Sequence, residues 1–509
     1  MRCGILLSAP GIERWAVPVL ALLAAEPALA VEAVCFLEGP PAPAAAPGRL
    51  FGLLQNWSAA TAAPLARAAC ELPQGAARIV LRHASGVLLP EDAALLRDKA
   101  LDVLISLDTV PLPAGCSGFA RHGVWSVASG EPGRPPANPP YWHEVRDREP
   151  VSAVAIAQSL PEGTRLLWQG HTATCPGVRF TENAVEPLAM AGSALLRLLL
   201  DLLQPDSHRA AAPLQPPVPD RDAPPGNLSA AAFVARQAAR SISLRLRARG
   251  RRPLWFVAIR DLGAGTGFRD VPMPPGHGYA DPFLLQCQDR HWLFLEDILP
   301  DGRGRLACLE IFDDGRFGDP CVILDQPGRH LSYPQVFSHD GAYFMLPETC
   351  ANGAVELYRA ASFPSRWTLE RVLCPEIAVV DTTVFHRDGV WYFFTTSAYG
   401  GSETFLFWSD RPDGAWRYHP ANPICSDIRR ARGAGALFYS GGSLWRPAQD
   451  CSVAYGYAMV LHRVLRLSPT EYAEEAVETI LPVWRPGLLA THTRNAAGRY
   501  QAIDGMRYA

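Results

Sequence analysis

The chain carries two different patterns of apolar and polar positions. Over residues 1–203, short apolar runs of strand length alternate with longer stretches of helical length. Met1-Arg2-Cys3-Gly4-Ile5-Leu6-Leu7 reads as a strand, the apolar stretch Ala16–Ala30 as a helix, and Val31–Leu37 as a second strand, the order of a βαβ unit. That stretch ends in Ala-Leu-Ala, like a signal-peptidase site. Pro18 and Glu26 interrupt it, however, whereas secretory cores are apolar runs of about 7–15 residues without acid. Arg78–Leu81 and Asp102–Leu107 are further strand-like runs, and Glu186–Leu203 is a strongly helical segment that closes the region. Such alternation predicts an α/β domain over residues 1–203 with a mainly parallel, Rossmann-type sheet.

Residues 204–227 are rich in proline and polar residues and predict a linker; Ser229 then predicts the N-cap of a helix over 230–248, so that linker and helix together fill 204–250. From residue 254 the texture changes to short β runs, aromatics and turn residues. Asp281, Tyr333, Asp381, Ala434 and Ala490 open five segments of one form, strand, turn and strand, with the turns at Asp289, Gly341, Gly389, Gly442 and Gly498. The openings are 52, 48, 53 and 56 residues apart. A period near 50 with four strands' worth of chain is a propeller blade. Second hairpins follow in blade two (Glu356–Ala360 and Trp367–Leu373) and in blade three (Phe405–Ser409 and Trp416–Pro420). Only two strands follow the fifth opening, and the missing outer strand is available at Leu254–Arg260, which would close the ring and remove its exposed edges. Five aligned turns argue against a β-sandwich with accidental periodicity. Residues 251–509 are therefore expected to form an all-β, five-bladed β-propeller.

Composition narrows the function classes. A chain of 509 residues exceeds what one core serves, in keeping with two domains. Hydrophobic residues at 48%, charged residues at 19% and a net charge of −3 are ordinary for a soluble protein and give no reason to expect a nucleic-acid partner. No apolar run reaches the roughly 18–20 residues that span a bilayer, so no transmembrane segment is expected. The twelve cysteines are scattered, without CxxC pairs or zinc-type spacing to histidine. They read as buried thiols in a reducing compartment, which predicts a cytoplasmic protein without a metal site. Lys99 is the only lysine. This excludes a Walker loop, restricts any Schiff base to Lys99, and with the high alanine and proline content points to a GC-rich bacterial genome. Gly263-Ala-Gly-Thr-Gly lacks dinucleotide-loop spacing and precedes a blade, and no cofactor is expected.

Several motifs fall in order along the propeller half: Tyr279-Ala-Asp-Pro-Phe, Leu331-Ser-Tyr-Pro-Gln-Val-Phe, Met345-Leu-Pro-Glu-Thr, Leu357-Tyr-Arg-Ala, Phe363-Pro-Ser-Arg-Trp, Arg446-Pro-Ala-Gln-Asp-Cys and Tyr455-Gly. Over about residues 254–509 the chain thereby resembles the propeller module of plant glucosamine inositolphosphorylceramide transferases, itself similar to the arabinanase, xylosidase and fructosidase clan. The resemblance implies that the opening residue of each blade faces a common funnel. It implies a blade-one aspartate as general base or nucleophile, here Asp281, a blade-three aspartate that tunes its pKa, here Asp381, and a glutamate near blade four as general acid. Glycoside cleavage needs two carboxyl groups in opposite protonation states. The blade-four opening is Ala434, which donates no proton; Glu348 and Asp450 are the candidate substitutes, and Glu296 shares the offset of Glu348. Arg432, Arg446, Gln449, His330 and His492 are candidate substrate-binding groups, because guanidinium and carboxamide forks suit hydroxyl, carboxylate or phosphate recognition. Trp292 and Trp391 could stack on sugars, but their place inside the repeat predicts core packing.

The first 203 residues resemble the formyltransferase fold through Asp102-Val-Leu-Ile-Ser-Leu, Gly123-Val-Trp-Ser, Tyr141-Trp-His-Glu and Gly163 through Gly170-His171. That family works with an asparagine, a histidine and an aspartate around the formyl carbon. Here the strand after Gly123 runs on to Glu131 without histidine, the family's Asp-Thr-Gly reads Glu162-Gly163-Thr164, and His122 and His143 are off register. The domain is therefore expected to be degenerate for that chemistry. Three readings follow. The first is a carbohydrate-active protein that handles a glycan, glycolipid or nucleotide-sugar in the propeller funnel by glycosyl-bond chemistry. The second is a non-catalytic sugar-binding module partnering a transferase. The third is a formyl or acyl transferase acting through the N-terminal domain.

Overall fold

The computed structural model describes residues 1–8, 11–39, 48–61, 66–69, 71–84, 87–108, 116–134, 140–177, 179–204, 212–213, 225–248, 250–265 and 267–509. They form two compact units, Met1–Leu244 and Arg245–Ala509. Of the Pro-rich stretch expected to be a linker, 205–211 and 214–224 lie outside the described residues.

The first unit is built on a nine-stranded sheet. An inner strand, Arg2–Leu7, lies parallel to Ala30–Glu38 on one side and to the central Val103–Ser106 on the other, and Val17–Ala25 is the crossover helix. The βαβ expectation is met by this arrangement. The strand is buried on both faces, as an apolar run without alternation requires. Val19, Leu20 and Leu23 of the crossover helix and Leu188, Ala191 and Leu195 of the helix Val185–Asp201 cover one face. Leu96 of the helix Pro90–Asp98 joins Leu6, Cys35, Leu81 and Leu104 on the other. The expectation of a mainly parallel sheet needs correction. Val151–Leu160 and Gly163–Ala173 run antiparallel, because the two-residue turn between them is too short for a crossover.

Three smaller expectations also change. Phe180–Asp201 is long and apolar enough, by length and composition, to cross a membrane, although no such run was expected; 61% of its apolar window is buried inside the protein. The helix expected from 230 begins at Asn227, directly after Pro225-Gly226, and Ser229 lies inside it rather than capping it. Asn227 Oδ1 instead accepts the Leu50 N–H at 2.8 Å. The described cysteines are free thiols, but Cys175 and Cys321 are exposed; Cys321 opens a short outer strand rather than filling a core.

The second unit is a closed ring of five antiparallel sheets. Blade one runs from Gly278–Cys287 to Cys321–Leu324, blade two from Ser332–His339 to Arg366–Pro375, blade three from Val379–Arg387 to Arg417–Tyr418, and blade four from Phe438–Ser440 to Tyr472–Ile480. Blade five is made from both ends of the unit. Pro253–Asp261 pairs with Tyr500–Tyr508, as the missing outer strand required. The turn residues Asp289, Gly341, Gly389, Gly442 and Gly498 all have φ between +57° and +77°, which is why glycine fills four of the five. Apolar clusters fill the seams between blades; Phe283, Phe294, Tyr333, Met345 and Trp367 form the one between blades one and two. Trp391 is buried in the next seam and Trp292 is partly buried against the first, so both are packing residues, as expected.

Blade four is tied internally by a buried ion pair. Arg446 Nε and Nη2 each donate to Glu474 at 2.7 Å, and Tyr472 Oη donates to the same carboxylate at 2.5 Å. Burial pushes the Glu474 carboxyl up, and the Arg446 charge pulls it further down, to about 2. A carboxyl so depressed stabilises the fold above its ordinary 4.5, and that contribution is lost as pH falls through about 2. Removing one partner strands a buried charge. Glu474→Gln is therefore expected to cost about 3–5 kcal/mol in guanidinium unfolding at pH 7, and the double change to Arg446→Met with Glu474→Leu to restore most of it.

Candidate functional site

The openings of blades one, two and three share one backbone device. Asp281, Tyr333 and Asp381 have φ of +51°, +49° and +50°. Each sits in a register shift of its strand pair, between Ala280 and Phe283, Ser332 and Gln335, and Val380 and Thr383. A non-glycine residue held there costs about 1–3 kcal/mol and persists only where its surroundings fix it. Aspartate tolerates the conformation; a bulky tyrosine does so rarely.

The fixing contacts cross the ring. Asp281 Oδ1 accepts the Thr493 hydroxyl of blade five at 2.7 Å, and its Oδ2 accepts the Tyr333 N–H of blade two at 3.3 Å. The Tyr333 hydroxyl lies 2.9 Å from Thr383 Oγ1 in blade three and accepts the Gly435 N–H, at the opening of blade four, at 2.7 Å. Blades two and four are not neighbours in a five-membered ring, so this contact passes through its centre. Asp381 accepts Arg432 Nε at 2.5 Å and Gln449 Nε2 at 3.1 Å. The Thr383 hydroxyl also donates to the Asp381 main-chain carbonyl at 3.4 Å, so one network contains both aspartates, Arg432 and Gln449.

A second ring of polar residues lies at the far ends of the second strands. Glu296, Glu348, Thr396, Gln449 and Asp504 fall fourteen or fifteen residues after their blade openings, and all five are buried. Glu348 accepts the Ser332 hydroxyl at 3.1 Å and the Cys350 N–H at 2.6 Å. Burial first, then the Asp381 charge, raises its carboxyl. His330 Nε2 lies 3.2 Å from Glu296, and that carboxylate raises the imidazole. Burial, reinforced by Glu296, Asp381 and Asp504 and opposed by His492, raises the Asp281 carboxyl to about 7.

His492 is enclosed. Its ring stacks on Trp255 at 4.1 Å and meets the Tyr455 ring edge-on at 5.6 Å. Nδ1 lies 2.6 Å from Asp504 Oδ2, and Nε2 lies 3.6 Å from Asp281 Oδ1. The three residues offer ligand-type atoms within 4.8 Å of one another. Each imidazole nitrogen lies beside a carboxylate, so the three residues form a chain of alternating charge when the ring is protonated. The network reaches solvent at Tyr455, half-exposed with the Arg432 guanidinium 4.8 Å above its ring, and at His330, also half-exposed.

Two sequence candidates, Arg446 and Asp450, stand apart from this network, as does the blade-four opening Ala434. Arg446 is committed to Glu474; with Asp381 and Thr383 it lines a cavity of about 10 Å³ between blades three and four, room for a water and not for a sugar ring. Asp450 accepts the Ser452 N–H and hydroxyl at 2.9 and 2.6 Å, and so braces the turn after its strand. Ala434 is buried in an apolar cluster with Phe256, Met459 and Ile503. Sequence reading missed Tyr333, Thr493, Tyr455 and Asp504 as site members. Tyr333 occupied the opening shared by Asp281 and Asp381, and Asp504 the offset shared by Glu296 and Glu348, so for those two the signal was present in the repeat.

Residues 269–495 match the family model described as "Glucosamine inositolphosphorylceramide transferase 1, N-terminal". The curated relative of that name from Oryza sativa subsp. japonica is 30% identical over 354 residues, covering 66% of this chain and 45% of its own. The relative from Arabidopsis thaliana is 34% identical over 221 residues, covering 42% and 29%. The chain thus spans less than half the length of these relatives. They are plant proteins and not formyltransferases, so neither the bacterial source nor the formyltransferase likeness expected from the sequence finds support in them. Among solved structures, a GH43_1 enzyme from Xanthomonas citri complexed with xylose is 13% identical, covering 47% of this chain and 88% of that one at a TM-score of 0.35. RS223-β-xylosidase is 13% identical, covering 49% and 94% at a TM-score of 0.33. The resemblance carried by the propeller motifs therefore holds: the C-terminal region of this chain is similar to the N-terminal module of the glucosamine inositolphosphorylceramide transferases.

Proposed function

We propose that the propeller binds a glycan, glycolipid or nucleotide-sugar where Asp281 and Asp381 meet its axis, and acts on a glycosidic bond there. The observation that carries this reading is the strained backbone device repeated at three blade openings, which holds two buried carboxylates in one network. Strain of this kind concentrates at active sites. The name of the plant relatives, glucosamine inositolphosphorylceramide transferase, supports a sugar or glycolipid ligand.

The roles divide by environment. Glu348 suits the general acid, since burial and Asp381 both favour its protonated form. Asp281 serves as base or nucleophile once ionised, above about pH 7. Asp381, paired with Arg432 and Gln449, stays available to sugar hydroxyls, and the half-exposed Tyr455 ring offers a stacking face. A second reading, a sugar-binding module that assists a separate transferase, is favoured by Ala434, which leaves the blade-four opening without an acid.

Asp281→Asn is expected to lose at least about 100-fold in turnover on a panel of aryl glycosides and nucleotide-sugars, while melting and ligand binding stay near wild type. Undiminished turnover would remove Asp281 from the chemistry; binding without turnover in both proteins would support the binding-module reading. Glu348→Gln should lower kcat by about 100-fold, whereas Asp450→Ala, which only loosens a turn, should leave it within about twofold. The reverse ranking would transfer the acid role to Asp450.

A further inference from the structure

Asp281 is the hardest group in the network to explain. It is buried, it faces Glu296, Asp381 and Asp504, and its direct hydrogen-bond donors are a hydroxyl and one backbone N–H, both neutral. An ionised carboxylate in that setting needs a cation. Arg432 is committed to Asp381. The remaining basic group beside Asp281 is His492, at 3.6 Å.

His492 is fixed from behind. Asp504, with no exposure to solvent, accepts the backbone N–H groups of His492 at 2.8 Å and Thr493 at 3.0 Å on Oδ1; its Oδ2 accepts the Asp281 N–H at 3.2 Å and lies 2.6 Å from His492 Nδ1. The same carboxylate therefore anchors the backbone of both partners and sets the charge of the imidazole between them. Trp255 and Tyr455 wall the ring in.

We propose that His492, gripped by Asp504, is a positioning residue that supplies the counter-charge to Asp281, keeping this buried carboxylate ionised and aimed. The proposal gives a role to Asp504, and it rests on the reading of Asp281 as base or nucleophile. The titratable groups that face the pair are few. His492 meets Asp504, Asp281 and Asp381 and edges the Tyr455 phenol; Asp281 meets in addition Glu296, with His330 and the Tyr333 phenol nearby. Burial works against the imidazolium, and Asp504 and then Asp281 more than offset it, raising His492 to about 9. The signs agree. Below about pH 9 the imidazole is charged, and above about pH 7 the Asp281 carboxyl is ionised, so near neutrality and above both charges coexist.

Two measurements on the full chain decide it. In the pH profile of kcat/KM on the substrate panel, His492→Gln should move the acid limb, set by Asp281, upward by about one pH unit. A purely structural role would lower turnover and leave the limb where it is, which would overturn the proposal. The second measurement needs no turnover. The His492 ring, followed by NMR, should titrate near 9 in the wild type, and about one unit lower in both Asp281→Asn and Asp504→Asn. A ring that titrates near 6.5 in the wild type, or at the same pH in all three proteins, would overturn it. If no sugar is turned over, the glycosyl-bond reading fails, and the ring titration alone decides whether the charge chain exists.

Discussion

Taking a carboxylate out of water costs several kcal/mol unless protein groups replace its hydration. Asp281 and Asp381 are 4% and 3% exposed, and neither finds its partners within its own blade. Thr493 comes from blade five, the Tyr333 N–H from blade two, and Arg432 and Gln449 from the approach to blade four and from blade four itself. The hydration of both acids is therefore replaced only when the ring is closed. Closure depends in turn on Pro253–Asp261 pairing with Tyr500–Tyr508, so the two ends of the propeller unit assemble the site although neither end carries the opening aspartates. The ring supplies rigidity, and the rigidity holds three non-glycine residues at positive φ.

Much of the propeller was legible because its signal is repetition. Five aligned turns placed the blades, and the counting of strands after Ala490 correctly demanded an outer strand from Leu254–Arg260. The openings placed Asp281 and Asp381 together despite a separation of 100 residues, since position within a repeat, and not distance along the chain, fixes place around an axis. What the repeat did not reveal was partner choice. Arg446 and Arg432 looked equivalent as sequence; in the structure one is spent on Glu474 and the other faces Asp381. That difference depends on cross-strand neighbours, a relation that spacing alone does not encode. Asp450 was displaced by one residue: Gln449 stands at the site offset, and Asp450 ends the strand and holds the turn that follows.

The N-terminal unit was less legible, because apolar runs in a buried sheet look alike whether parallel or antiparallel. The βαβ start was legible from Pro18, in the first turn of the helix Val17–Ala25, and Glu26, at its C-terminal cap, while the hairpin at Pro161-Glu162 pairs the last long strands antiparallel. Its expected formyltransferase likeness remains without support, and the relatives bear on function through the propeller. There the missing blade-four acid is the central chemical question, and the buried Glu348, raised by its surroundings, is the group whose environment answers it best.

Asp281 and Asp381 share one network across the axis, and a double-mutant cycle measures that sharing directly. Unfolding free energies at pH 8, above the pH at which the Asp281 carboxyl ionises, should be compared for wild type, Asp281→Asn, Asp381→Asn and the double variant. Carboxylates that feel one another should show a coupling of at least about 0.5 kcal/mol. Effects that add to within about 0.3 kcal/mol would mean that the two acids occupy independent sites, and would contradict the account.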